Sequence, residues 1–215
     1  MDKSLLLLIN HEWTNPVLDS LMATMTNFSV WLPFLFLIGI VLLWRGDFRA
    51  RSFVIVTLLT LAVTDGLFTQ FAKRLVRRPR PHEALADVRE VRLERTHPAF
   101  LAVVRPPLVA YSPAPPADPG GRSFPSGHAT NNAAIAANAI RYFRRWGWLY
   151  AIPGSLVAYS RIYCGSHWPS DVLVSIPLGV IMAVLLTHAL ARLYQLIGPK
   201  WFARQYRRHP ELIPA

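Results

Sequence analysis

The chain has 215 residues, enough for one domain with a sizeable core and too few to require two. Hydrophobic residues make up 53% and charged residues only 16%, a balance that points to lipid rather than to a soluble domain. The net charge of +11 would suggest nucleic acid in a soluble chain, but here the basic residues fall between apolar segments, where lipid headgroups account for them, and no nucleic-acid partner is expected.

In chain order, SLLLLI near the N-terminus is too short to span a bilayer and lacks the basic leader and small-residue cleavage site of a signal peptide. It reads as the start of a peripheral or tilted helix that continues through Pro16 to Phe28. Ser29 to Trp44 is short but strongly apolar, and Ser52 to Ala72 is long enough to span at about 1.5 Å per residue. His128 to Phe143 is less apolar, but Ala129, Ala133 and Ala137 recur every four residues, a ridge that lets membrane helices approach closely. That pattern predicts an interior helix with Asn131, Asn132 and Asn138 turned to protein. Trp146 to about Tyr163 opens with tryptophans suited to an interface, and Val172 to Tyr194 predicts a last span with Pro177 as a tolerated kink. The fold class expected is an all-α, polytopic membrane bundle of about six helices, with 1–215 as a single domain.

The connection from Pro81 to Phe124 is rich in proline, Pro98, Pro106, Pro107, Pro113, Pro115, Pro116 and Pro119 among them. So long a structureless loop is uncommon unless it is a lid, a binding loop or disordered. Its middle, AFLAVVRPPLVAY, is apolar enough to dip into a membrane surface, so 82–124 is read either as a substrate-gating lid or as a plain linker.

Three clusters sit at helix ends: KRLVRRPRP from Lys73 to Pro81, FPSGH from Phe124 to His128, and SRIYCGSHWPSD from Ser160 to Asp171. The chain leaves the membrane at Lys73, re-enters at His128, crosses, turns near Arg144 and returns at Arg161, so all three lie on one side. Together they supply several cations, two histidines and a carboxylate, the composition needed to bind a phosphate dianion and attack it. Pro125 and Pro169 suit the start of a helix, Ser126 is a natural cap, and Gly127 lets the backbone approach a ligand. Both helix starts offer free N–H groups to an anion. His167 lies at one such start, with Asp171 a turn later, near enough to hold one imidazole nitrogen.

Lys73, six residues, Arg80-Pro81; Pro125-Ser126-Gly127-His128; and Ser160-Arg161, five residues, His167, three residues, Asp171 resemble the tripartite signature of the type 2 phosphatidic acid phosphatase superfamily. All three blocks match in order and internal spacing and organise most of the chain from Lys73 onward. The resemblance implies a six-helix bundle that hydrolyses a lipid-linked phosphate or diphosphate through a phosphohistidine, without metal or other cofactor. It implies His167 as nucleophile, Asp171 as its orienting partner and His128 as general acid, with Lys73, Arg80, Ser126, Gly127 and Arg161 binding phosphate. Family members often carry a small residue such as glycine where Ser175 stands, a modest departure that bears only on local packing.

Other readings stand beside these. Arg74, Arg77 and Arg78 read mostly as juxtamembrane anchors. Asp65, a carboxylate within a span, is either functional or hydrogen-bonded to an interior asparagine or backbone. His188 reads as an interface residue, Cys164 as a small buried hydrophobe, and nothing in the spacing of His82 and His97 suggests a metal. A metal held by His128, His167 and Asp171 would crowd Lys73, Arg80 and Arg161 against a cation. A silent lipid-phosphate binder or transporter would not require both histidines and Asp171. The basic residues divide evenly between the two faces, but the turns opposite the site are short and basic, which favours an extracytoplasmic site in a bacterial cell membrane, as bacterial relatives imply.

Overall fold

A computed structural model describes residues 1–116 and 120–213; Pro119, within the proline-rich connection, lies outside the described residues. The N-terminal stretch is two short helices rather than one. Helix α1 (Asp2–Leu7) runs into a π-helical turn, Leu8–Glu12, and α2 (Pro16–Thr26) starts afresh. The break falls where Asn15 caps α2, its side chain accepting from Leu18 N–H at 2.9 Å, with Pro16 in the first turn. At about 1.5 Å per residue neither piece spans a bilayer.

Helix α3 (Phe28–Arg45) leads away, and Asp47 caps α4 (Phe48–Val63), which returns through a π-helical segment, Thr64–Thr69, into α5 (Gln70–Val76). Arg77, with φ of 50°, ends α5 in the left-handed region and turns the chain out of the helix. Then come α6 (Pro81–Ala84), β1 (Arg89–Arg92), a 3-10 turn at Ala99–Val104 and β2 (Leu108–Tyr111). Helix α7 (Gly127–Phe143) crosses back, the 3-10 segment Arg144–Tyr150 turns the chain, and α8 (Ala151–Tyr163), α9 (Pro169–Trp201) and α10 (Ala203–Arg208) follow. The protein is an all-α membrane bundle. The α3, α4–α5 and α9 segments are long and apolar enough to cross a bilayer; α7 and α8 run between the same two ends.

Helix α7 is the axis of the bundle, packed against α4, α8 and α9. Its alanine ridge does what the spacing predicts. A Cβ placed on Gly179 of α9 would sit 3.0 Å from Ala133 Cβ and 2.2 Å from the Thr130 carbonyl oxygen, so only glycine allows this approach. Asn138 is buried and bridges helices, donating toward Thr57 and Thr60 and accepting from Thr187 Oγ1 at 2.9 Å. Asn132 accepts from Tyr150 O–H at 2.8 Å. Asn132 and Asn138 thus find partners inside the protein, as lipid requires, whereas Asn131 Oδ1 is buried without one.

The long connection is not structureless. Its strands pair antiparallel, Arg89 opposite Tyr111 and Arg92 opposite Leu108. Ser112 closes the base, exchanging backbone bonds with Val88 and Asp87 and giving its hydroxyl to the Leu85 carbonyl at 2.7 Å. Proline density hid this hairpin, because the strands are short and lie between the prolines. The hairpin is pinned to the bundle: Asn10 donates to the Arg89 carbonyl at 2.8 Å and the Tyr163 carbonyl at 2.7 Å, while the Arg89 guanidinium pairs with buried Asp19.

Candidate active site

The eight residues singled out by the sequence all lie at one end of the bundle. Lys73 is in the last turn of α5, Arg80 precedes α6, Ser126 and Gly127 open α7 with His128 next, Arg161 ends α8, and His167 and Asp171 flank the start of α9. Asp171 is fully buried in the first turn of α9, where its Oδ2 accepts the Trp168 N–H at 3.1 Å. His167 is 2% exposed, its Nδ1 3.7 Å from Asp171 Oδ2. That is longer than a direct hydrogen bond. The backbone leading there is tight: Gly165 has φ of 68°, and the N–H groups of Ser166 and His167 both donate to the Arg161 carbonyl at 3.0 Å. One peptide oxygen therefore ties Arg161 to His167.

Burial pushes the His167 imidazole down to about 4; the nearby Asp171 carboxylate pulls the other way, and Arg161 and Arg80 reinforce the drop. His167 is then neutral at pH 7, with a lone pair free on the ring. Around it lie Arg161, Arg80, Lys73 and His128, close enough to act on one another's charge. A Cβ on Gly127 would be 3.1 Å from Asp65 Oδ1 and 3.9 Å from Lys73 Nζ, so the start of α7 lies beside that lysine. Asp65 points toward Lys73 from the π-helical segment, which shifts a carboxylate out of regular helical phase.

Ser126 corrects the capping expectation. Its hydroxyl caps nothing and is buried without a partner, while its N–H donates to Ser175 Oγ at 2.8 Å. Arg161 Nε is likewise buried without a partner, though its terminal nitrogen binds Thr26 Oγ1. Unpaired buried polar groups are costly. Ser175 matters here, since its hydroxyl also donates to the Asp171 carbonyl at 2.6 Å and joins the start of α9 to the turn before α7.

Three contributors escaped the sequence. Arg78, read as a membrane anchor, instead donates to Asp171 Oδ1 at 2.6 Å, to Ser170 Oγ at 2.8 Å and to Asp2 Oδ2 at 2.6 Å. Ser123 donates to Asp171 Oδ2 and sits 3.5 Å from His167 Nδ1. Thr26 closes the site from α2 through Arg161, with its carbonyl within reach of His128. Arg78 was hidden among four other cations in KRLVRRPRP; Ser123 and Thr26 belong to no motif and meet the site only through folding. His188 is far from it, 2.8 Å from Arg141 on the opposite face. Among the described residues no group of His, Cys, Asp and Glu is arranged to hold a metal.

Residues 51–195 match the PAP2 superfamily. Among curated relatives, a lipid A 4'-phosphatase of Porphyromonas gingivalis is 25% identical over all of this chain and 82% of its own length. The undecaprenyl-diphosphatase BcrC of Bacillus subtilis is 31% identical over 80% of this chain and 74% of its own. Among solved structures, Aquifex aeolicus LpxE has a TM-score of 0.56 at 20% identity, covering 86% of this chain and 93% of that one. A PAP2-type phosphatidylglycerolphosphate phosphatase of Bacillus subtilis has a TM-score of 0.57 at 22% identity, covering 86% and 82%.

Proposed function

This chain belongs to the PAP2 superfamily of membrane phosphatases, and on that premise we propose that it hydrolyses a lipid-linked phosphate or diphosphate through a phosphohistidine on His167. The observation that carries the reading is the convergence of Lys73, Arg80 and Arg161 on a neutral, buried His167 whose Nδ1 faces Asp171.

The phosphate sits among the three cations, the Ser126 hydroxyl and the N–H groups at the start of α7. His167 Nε2 attacks phosphorus as the bond to the lipid oxygen breaks, and Asp171 stabilises the imidazolium that forms. A proton that enters with the bound phosphate passes through His128 to the departing oxygen, and His128 then takes one from the water that cleaves the phosphorus–nitrogen bond, releasing inorganic phosphate. Phosphoryl transfer is mostly positioning and charge stabilisation, so fixed side-chain cations can serve where other enzymes use metals.

Residues 1–215 act as one unit in a bacterial cell membrane, with the site on the extracytoplasmic face. Both curated relatives' names fit a lipid phosphate, and a polyprenyl diphosphate ranks first among candidates. The test is phosphate release by purified protein in detergent from undecaprenyl diphosphate, phosphatidylglycerol phosphate, phosphatidic acid and lipid A. Release from at least one, surviving excess EDTA and abolished by His167→Ala in a folded protein, is the expected result. Activity restored only by a divalent metal, or retained without His167, overturns the mechanism. A cysteine placed in the β1–β2 connection should react with an impermeant reagent in intact cells, and one beside Arg144 should not; the reverse puts the site inside.

A further inference from the structure

After Trp201 the chain reverses and α10 folds back along α9. The Tyr206 ring lies over Gly198, where an added Cβ would come 2.6 Å from Tyr206 Cδ2, and the Tyr194 hydroxyl donates to the His209 carbonyl at 2.8 Å. This carries the His209 ring onto Phe48 at the start of α4, with centroids 4.4 Å apart and planes 6° apart. A cleft is left between the first turn of α4, the end of α9 and α10. It lies at the end of the bundle away from His167, because α9 starts beside the candidate site and finishes here.

The wall of the cleft is basic. Arg51 of α4 and Arg204 and Arg208 of α10 line it together with His209, and the carboxylate beside them, Asp47, caps α4 by accepting the Ala50 N–H at 2.8 Å. Among the described residues no carboxylate lies within ion-pair distance of any of these three arginines. Arg204 and Arg208 stand four residues apart on one face of α10, so their like charges repel. Arg51 gives one terminal nitrogen to the Trp44 carbonyl at 3.1 Å and keeps its other donors. The cleft thus gathers positive charge that the protein itself leaves without a counter-charge.

Its position says which anion suits it. Trp44 and Trp201, both exposed, stand at the ends of two long apolar helices beside the cleft, and Phe202 is exposed next to them. Tryptophans so placed mark the headgroup level of a bilayer. A lipid phosphate at that depth meets the arginines while its acyl chains lie against the exposed rings; an anion free in water makes no use of those rings. We infer that this cleft binds the phosphodiester headgroup of an anionic bilayer lipid, in the leaflet opposite the candidate site. Guanidinium suits a phosphate because its parallel N–H groups reach two oxygens at once. A bound headgroup relieves the repulsion within α10 and holds that helix against α4 and α9. Basic pockets between membrane helices recognise anionic headgroups in this way, and a zwitterionic lipid, whose ammonium cancels its phosphate, is held less tightly.

The probe is short-chain phosphatidylglycerol added to the purified protein in neutral detergent, with binding read by native mass spectrometry and thermal unfolding. Arg204→Gln with Arg208→Gln removes two charges from the cleft, and Arg144→Gln with Arg145→Gln removes two from the same end of the bundle outside it. Phosphatidylglycerol should raise the unfolding midpoint of the unaltered protein and of the Arg144/Arg145 pair, and bind the Arg204/Arg208 pair at least tenfold more weakly. Turnover of p-nitrophenyl phosphate without added lipid should be unchanged in both pairs, which shows that they fold. Unweakened binding to the Arg204/Arg208 pair, equal weakening in both pairs, or equal affinity for phosphatidylcholine overturns the inference. So does displacement of the lipid by inorganic phosphate at equal concentration, which would make the cleft a site for a free anion. In the unaltered protein, phosphatidylglycerol carrying a diazirine on its headgroup should label the peptides that hold Gly46–Arg51 and Ala203–His209. Equal labelling of Arg144–Tyr150 would mean diffuse attraction to the basic end and would also overturn it.

Discussion

Arg78 and Asp171, 93 residues apart, are joined by a 2.6 Å ion pair in which the carboxylate is wholly buried. The other terminal nitrogen of Arg78 reaches Asp2, and Asp2 in turn accepts from the Ser170 N–H at 2.9 Å. One guanidinium thus links the first residues of the chain, the end of α5 and the start of α9, and fixes the carboxylate that faces His167.

Arg78→Ala should lower kcat by roughly ten- to a hundredfold with little change in KM, because Arg78 steadies Asp171 and the phosphate ligands remain. Loss of a charged hydrogen bond to a buried carboxylate should also cost about 2 kcal/mol of stability. Arg78→Lys, unable to fork between two carboxylates, should recover only part of the rate. Steady-state kinetics with thermal unfolding in detergent checks this; a change in KM alone would make Arg78 a phosphate ligand instead.

Gly165→Ala tests the turn that carries His167. The residue adopts φ of 68°, and a Cβ there would lie 2.7 Å from the Arg89 carbonyl oxygen, a backbone atom held by the hairpin. Left-handed strain of about 1–2 kcal/mol adds to that clash, so both stability and kcat should fall. Gly66→Ala, where nothing lies within 4 Å, is the matched control and should change stability far less.

The acid limb of activity should follow His167. Its folded-state value of about 4 lies below the ordinary value of about 6.5, so the fold favours the neutral ring. The associated stability is complete above about pH 6.5 and is lost as pH falls through about 4. kcat/KM for the free enzyme should drop through that same lower value. Unfolding midpoints measured across pH 3–8 should show the loss in the unaltered protein and a smaller one in His167→Gln; identical curves would mean that His167 is not the group responsible.

His128→Ala should cost far more with an alkyl lipid monophosphate than with an activated aryl phosphate, because only the alkoxide needs a proton to leave. A diphosphate, which expels a phosphate, should fall near the aryl ester. Rates for the three substrate types decide it: an equal loss for all would make His128 a binding residue rather than the acid.

Much was written in the sequence. Apolar length marks α3, α4–α5 and α9, the alanine period marks α7 as interior, and proline, glycine and histidine at helix starts mark the candidate site. These signals are local, set by helical rise, backbone freedom and residue chemistry within a few positions. The break before Pro16 was legible too, since Asn15 and Pro16 form an N-terminal cap and first turn, yet the apolar residues on both sides suggested continuity. The hairpin, the Arg78 pair, the Ser123 contact and the Thr26 closure belong to another class. Each joins groups far apart in the chain, and a guanidinium in KRLVRRPRP finds lipid headgroups or Asp171 according to where the left-handed turn at Arg77 aims it.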